Sequence, residues 1–120
     1  MDLAAERWTE YFDSIADSIA GNTVTIEVIS EELGDQLDVE RLPLQAIGYD
    51  PKDDTVEISI GGRDQRYPVV LWHFIAKPKA ISVEESSPSI PEAILVTDAA
   101  GTKTLIHLYE PTPPAAELEP

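Results

Sequence analysis

The sequence predicts an α+β fold, in which an N-terminal helix packs on a strongly bent antiparallel sheet of six or seven short strands. Two observations carry this. Apolar residues recur with a helical period only in the first twenty residues, and from Asn22 onward the period is two. Clusters of Gly, Pro, Asp and Ser then break the chain into short apolar runs, the pattern of strands joined by tight reversals. The sheet either closes into a small Sm-like barrel or stays an open meander with the helix on one face. At 120 residues the chain is long enough for one core, expected over 1–109.

Trp8, Tyr11, Phe12, Ile15 and Ile19 fall in one helical stripe, with Glu6, Glu10, Asp13 and Asp17 on the opposite face. With Asp2 as N-cap and Gly21 as a left-handed C-terminal residue, the helix is expected from about Leu3 to Ala20. Val24, Ile26 and Val28 then alternate with Thr23, Thr25 and Glu27, which describes a strand. Ser30 to Arg41 holds five acids around Leu33 and Leu37 and reads as a loop or a single helical turn.

Leu42–Tyr49 and Thr55–Ile60 flank Asp50, Pro51, Lys52, Asp53 and Asp54, where proline presets φ and aspartates bond their own backbone, so this is a hairpin. Gly61-Gly62 ends it with another turn. Arg66 to Ile75 is apolar on both parities, with Val70, Trp72 and Phe74 on one side and Val69, Leu71 and Ile75 on the other. That pattern predicts a strand covered on both faces. Pro78 marks an edge or a bend before a short strand, Ala80 to Glu84, and Ser86 to Pro91 reads as a loop. Ala93–Thr97 and Lys103–Tyr109 surround Asp98 to Gly101 as a second hairpin, with glycine at the positive-φ position. Glu110 to Pro120, with four prolines, three glutamates and one large apolar group, is expected to be a disordered tail.

The formal charge is −15, and it is unevenly spread. Residues 1–40 carry 11 acids and one base, residues 41–80 five acids and six bases, and residues 81–120 seven acids and one base. A field of this sign repels phosphate backbones and anionic headgroups, so neither nucleic acid nor membrane is expected as a partner. Cysteine is absent, which excludes disulfide scaffolds, thiolate metal sites and cysteine nucleophiles. Asp2 and Glu6 stand where a signal peptide needs basic residues, and the longest uncharged stretch, Tyr67 to Ala76, is too short to span a bilayer. The expected location is the cytoplasm.

No constellation with catalytic spacing stands out. Asp50, Asp53 and Asp54 are followed by Thr55 where a calcium loop needs glycine, so turn chemistry accounts for them. His73 and His107 lack the second His or the helical acid that metal motifs require, the serines lie in no nucleophile elbow, and Gly61-Gly62-Arg63-Asp64 lacks the remaining elements of a phosphate loop. No cofactor or metal is expected. The one patch with polar purpose is cationic: Arg63 and Arg66 enter the apolar strand and Lys77 and Lys79 leave it, forming an island around Trp72 and His73 suited to a carboxylate or phosphate.

Tyr49-Asp-Pro-Lys-Asp-Asp54 leading into Val56-x-Ile58-x-Ile60-Gly61, then His73-x-Ile75-x-x-Pro78-x-x-Ile81-x-Val83 and Asp98-x-x-Gly101-Thr102, stand behind a Trp8-x-x-Tyr11-Phe12 helix. Together they resemble a family of small bacterial proteins defined as a domain of unknown function, number five-three-three-five. The resemblance covers about residues 6 to 109 and implies a stand-alone bacterial protein without an established activity, so no catalytic residue carries over. The Pro/Ser-rich stretch Ser86–Pro91 departs from the pattern. The order of helix, first strand and hairpin is also similar to the Sm-type small barrel, a likeness of topology only.

These readings favour a non-enzymatic protein that acts by binding another protein or a second copy of itself. The rival is a binder of a small anionic ligand, or a weak hydrolase, built on His73, Arg66 and Lys79. The doubly apolar strand predicts a homodimer if the sheet is open and a monomer if it closes.

Overall fold

The computed structural model describes residues 1–32, 34–61, 71–88 and 90–110. Its chain begins with a two-residue strand, β1 (Asp2–Leu3), and a 3-10 turn, Ala5–Arg7, which leads into the helix α1 (Trp8–Ile15). Seven strands follow: β2 (Thr23–Ser30), β3 (Gly34–Asp50), β4 (Thr55–Ile60), β5 (Leu71–Ala76), β6 (Pro78–Ser87), β7 (Ile90–Asp98) and β8 (Lys103–Tyr109). All eight strands form one antiparallel sheet in the order β1-β6-β7-β8-β2-β3-β4-β5. The α+β class holds, with eight strands among the described residues rather than six or seven. Among the described residues the ladder ends at β1 on one side and at β5 on the other.

The apolar stripe of α1 is buried as its spacing requires. Trp8, Phe12 and Ile15 lie in the core, and Ile19 joins them from the turns that follow the helix. They pack against the inward residues of the sheet, Val24 and Ile26 of β2, Leu44 and Ile47 of β3, Val56, Ile58 and Ile60 of β4, Ile81 and Val83 of β6, Ile94 and Val96 of β7 and Ile106 and Leu108 of β8. The helix is shorter than its stripe predicts. Asp2 does not cap it, because Asp2 and Leu3 pair with Ser82 and Ile81, and the terminal ammonium donates to the Val83 carbonyl at 3.0 Å. Strand pairing satisfies more backbone there than one capping bond would. At the other end the chain breaks into turns after Ile15, and Gly21 takes the left-handed φ of 87° that lets Asn22 N–H bond the Ile19 carbonyl.

The acidic stretch expected to be a loop or helical turn is instead the first half of β3. Leu37 pairs with Glu27 and Val39 with Ile26, so ladder hydrogen bonds to β2 override the weak strand propensity of its acids, which stay exposed. Bulges in this ladder and a φ of 53° at Arg41 bend β3, whose second half turns to pair with β4. The β3–β4 hairpin forms as its sequence requires: Asp50 Oδ1 accepts from the backbone N–H of Lys52 and Asp53, and Asp54 takes a φ of 51°.

Two further expectations are corrected. The stretch Ser86–Pro91 is mostly strand, because β6 runs to Ser87 and β7 begins at Ile90, with bulges absorbing the irregular pairing of Glu85 with Pro91. Of the strand expected to be covered on both faces, Arg66 to Val70 lie outside the described residues; the rest lies in β5, among the described residues an edge strand with Leu71, Trp72 and Phe74 exposed. The β7–β8 hairpin agrees with expectation, with Gly101 at φ 87° and Asp98 Oδ1 accepting from Ala100 and Thr102 N–H. Apart from Glu110, the expected tail lies outside the described residues. No described helix is long and apolar enough to cross a membrane.

Candidate functional site

The β5 strand is placed by a corner. Lys77, at a φ of 53°, separates it from β6, and Pro78 fixes the exit direction. The Lys77 N–H donates to the Asp54 carbonyl and its own carbonyl accepts from Ala99 N–H, so both hairpin loops hold the corner. From there β5 runs along β4, with Ile75 opposite Val56, Phe74 opposite Glu57, His73 opposite Ile58, Trp72 opposite Ser59 and Leu71 opposite Ile60.

This register sorts the side chains onto two faces. Leu71, His73 and Ile75 share the face of Ile58 and Ile60, where Ile75 is buried but Leu71 is 51% exposed. Trp72 and Phe74 share the opposite face with Glu57 and Ser59, and both are more than half exposed, at 56% and 57%. Their rings stack with centroids 5.7 Å apart and planes within 2°. One strand further in, on that same face, stand Ala46 and Gly48, opposite Ser59 and Glu57. A methyl group at Gly48 would meet nothing within 4 Å, so the aromatic pair borders a low, open floor.

On the inner face, His73 Nδ1 lies 3.3 Å from Asp38 Oδ2, on the first half of β3. A depression of about 310 Å³ opens beside them and reaches Val28, Gln36, Ile75 and Thr104. A larger one, about 630 Å³, lies at the ends of β7 and β8, where the Arg41 guanidinium stacks 3.5 Å from the centre of the Tyr109 ring near His107, Glu92 and Glu110. His107 Nε2 is 3.5 Å from Glu27 Oε1. Among the described residues no group of three His, Asp or Glu side chains is placed to hold a metal ion.

Of the residues read as a basic island, Arg63 and Arg66 lie outside the described residues. Trp72 and His73, as successive strand residues, point to opposite faces, and Lys77 and Lys79 are exposed at the corner and the start of β6. The residues missed by the sequence reading are Phe74 as the partner of Trp72, the floor at Ala46 and Gly48, and Asp38 beside His73. Trp72 and Phe74 share a face by parity alone, whereas the strand order of β3, β4 and β5 sets Ala46 and Gly48 beside them, and Asp38 comes from the half of β3 that pairs with β2.

A family model described as a family of unknown function (DUF5335) matches residues 1–116. The chain belongs to that family. It is also 37% identical over 111 residues to an uncharacterized protein of Aquifex aeolicus (strain VF5), covering 92% of this chain and 93% of that one. No solved structure matches.

Proposed function

We propose that this member of the family is a protein-binding module whose docking surface is the exposed edge of β5 and its outer face. The observation that carries the reading is the stacked Trp72–Phe74 pair, more than half exposed on a strand at the end of the sheet. Large aromatic groups left in water forgo roughly 25 cal/mol per Å² of burial, and an unpaired strand edge presents backbone donors and acceptors in a fixed array. An extended segment of a partner uses both, since its main chain adds to the edge and its alternate side chains meet the aromatic pair and the Ala46–Gly48 floor. Glu57, opposite Phe74, adds negative charge to a molecule already at −15, which favours protein over phosphate-bearing partners.

Selection from a random-peptide display library against the immobilised full chain tests this. The expected result is enrichment of extended, apolar sequences whose binding is lost in a Trp72→Ser/Phe74→Ser double variant with an unchanged thermal melt. Peptides that bind wild type and double variant equally would overturn it.

A further inference from the structure

We infer that the occupant of the β5 edge is a second copy of the same chain, paired antiparallel about a twofold axis midway between His73 and its own copy. The inference rests on the reading of that edge as a docking surface and names its partner.

Leu71 is exposed on one face of β5, and Trp72 and Phe74 are exposed on the other. A helix or loop laid on the sheet covers one face and leaves the second wet. An added strand covers both, provided it carries apolar side chains on both parities, and β5 itself is such a strand.

Symmetry then restricts the register. A twofold axis perpendicular to a continuous sheet keeps each side chain on its own face, so the axis must lie midway between a residue and its own copy rather than between two different residues. With the axis at His73, Trp72 lies opposite Phe74 of the partner subunit, Phe74 opposite Trp72 of the partner subunit, and Leu71 opposite Ile75 of the partner subunit. Both stacked pairs then meet edge to edge and form one aromatic row across the junction. An axis at Phe74 sets Trp72 against Ala76 instead, and an axis at Trp72 sets Leu71 against His73 and leaves Phe74 without an aromatic mate. His73 is the one axis at which Leu71, Trp72 and Phe74 all face described residues of β5, and each of those is an apolar side chain.

Size fixes the strength. Aromatic side chains carry about 150–250 Å² each, so the exposed halves of Leu71, Trp72 and Phe74 offer about 300 Å² per copy. A standard interface buries about 800 Å² per partner, so this dimer is weak, with a dissociation constant in the micromolar range or above.

The chain has no cysteine, so an introduced one has no competitor. Directly opposed residues in an antiparallel pair have Cα atoms about 4.5–5.5 Å apart, within disulfide reach. His73→Cys is therefore expected to cross-link to itself under mild oxidation at least tenfold faster than Thr9→Cys on the exposed face of α1. A mixture of Trp72→Cys with Phe74→Cys should cross-link between the two variants faster than either does alone, and this second test leaves His73 and Asp38 untouched. In sedimentation, wild type should show a dimer that Trp72→Ser shifts at least tenfold toward monomer. The inference is overturned if His73→Cys reacts no faster than Thr9→Cys, if Trp72→Cys links to itself most readily, or if wild type stays monomeric to several hundred micromolar. Trp72-dependent capture of peptides beside a monomeric chain would remove the self-pairing and leave the docking surface standing. Loss of both removes the two readings together.

Discussion

Tyr11 connects the helix to the sheet by a single atom. Its hydroxyl donates to Glu85 Oε2 at 2.7 Å across 74 residues of sequence, and Glu85 sits on β6. Burial, then the hydrogen bond and the negative charge of Glu85, push the phenol well above its ordinary value. Tyr49 is pushed the same way, first by its bond to Asp54 Oδ1. A phenol whose folded pKa exceeds its unfolded one stabilises the fold fully below about pH 10, and that contribution is lost as pH rises through the folded value. The denaturation midpoint of the wild type should therefore fall as pH rises above about 10, and Tyr11→Phe should remove part of that slope. At pH 7 the same variant should lose about 1 kcal/mol, because Glu85 is half-buried and regains only part of its hydration. A Tyr11→Phe variant with the wild-type alkaline slope would show that the Glu85 bond contributes nothing.

At the scale of elements, the helix shows what was legible in the sequence and what was not. Its stripe named Trp8, Phe12, Ile15 and Ile19 correctly as buried, with Tyr11 only half-buried beside them, because a 3.6-residue period is a property of the segment alone. Its start was misplaced, because Asp2 and Leu3 are claimed by β6, nearly eighty residues away. The same division runs through β3: the β3–β4 turn is written locally in Asp50 to Asp54, whereas the strand character of Gly34 to Glu40 depends on β2 as a partner. Apolar residues on both parities of β5 were legible too, but they fit a covered strand and an uncovered edge equally well. Only strand order decides between them, and with it the meeting of Trp72 and Phe74 with Gly48. Phe12, fully buried under the sheet, tests the helix as an element: Phe12→Ala should cost about 3–5 kcal/mol in chemical denaturation. Glu10→Ala, one step round the same helix and exposed, should stay within about 0.5 kcal/mol. Equal effects would mean that α1 does not pack as its stripe requires.

For the molecule as a whole, charge and apolar surface oppose each other. Each chain carries −15, so bringing two copies together costs Coulomb energy that acts over about 30 Å in 10 mM salt but only about 3 Å in 1 M salt. The apolar contact at Leu71, Trp72 and Phe74 is not screened and is modestly strengthened by excluded salts. By segment the charge is uneven, with five acids against six bases over residues 41–80 and the excess elsewhere, but Arg63, Asp64 and Arg66 lie outside the described residues and Arg41 stacks on Tyr109. Among the described residues Glu57 stands opposite Phe74 and Asp38 beside His73, so the junction carries acids of its own that add to the long-range repulsion. Self-association should accordingly tighten with ionic strength, with the dissociation constant falling on the order of tenfold between 10 mM and 500 mM sodium chloride. Sedimentation equilibrium across that range reads the effect directly. A dimer held by ion pairs would weaken over the same range, so a dissociation constant that rises with salt would place the contact away from the aromatic edge of β5.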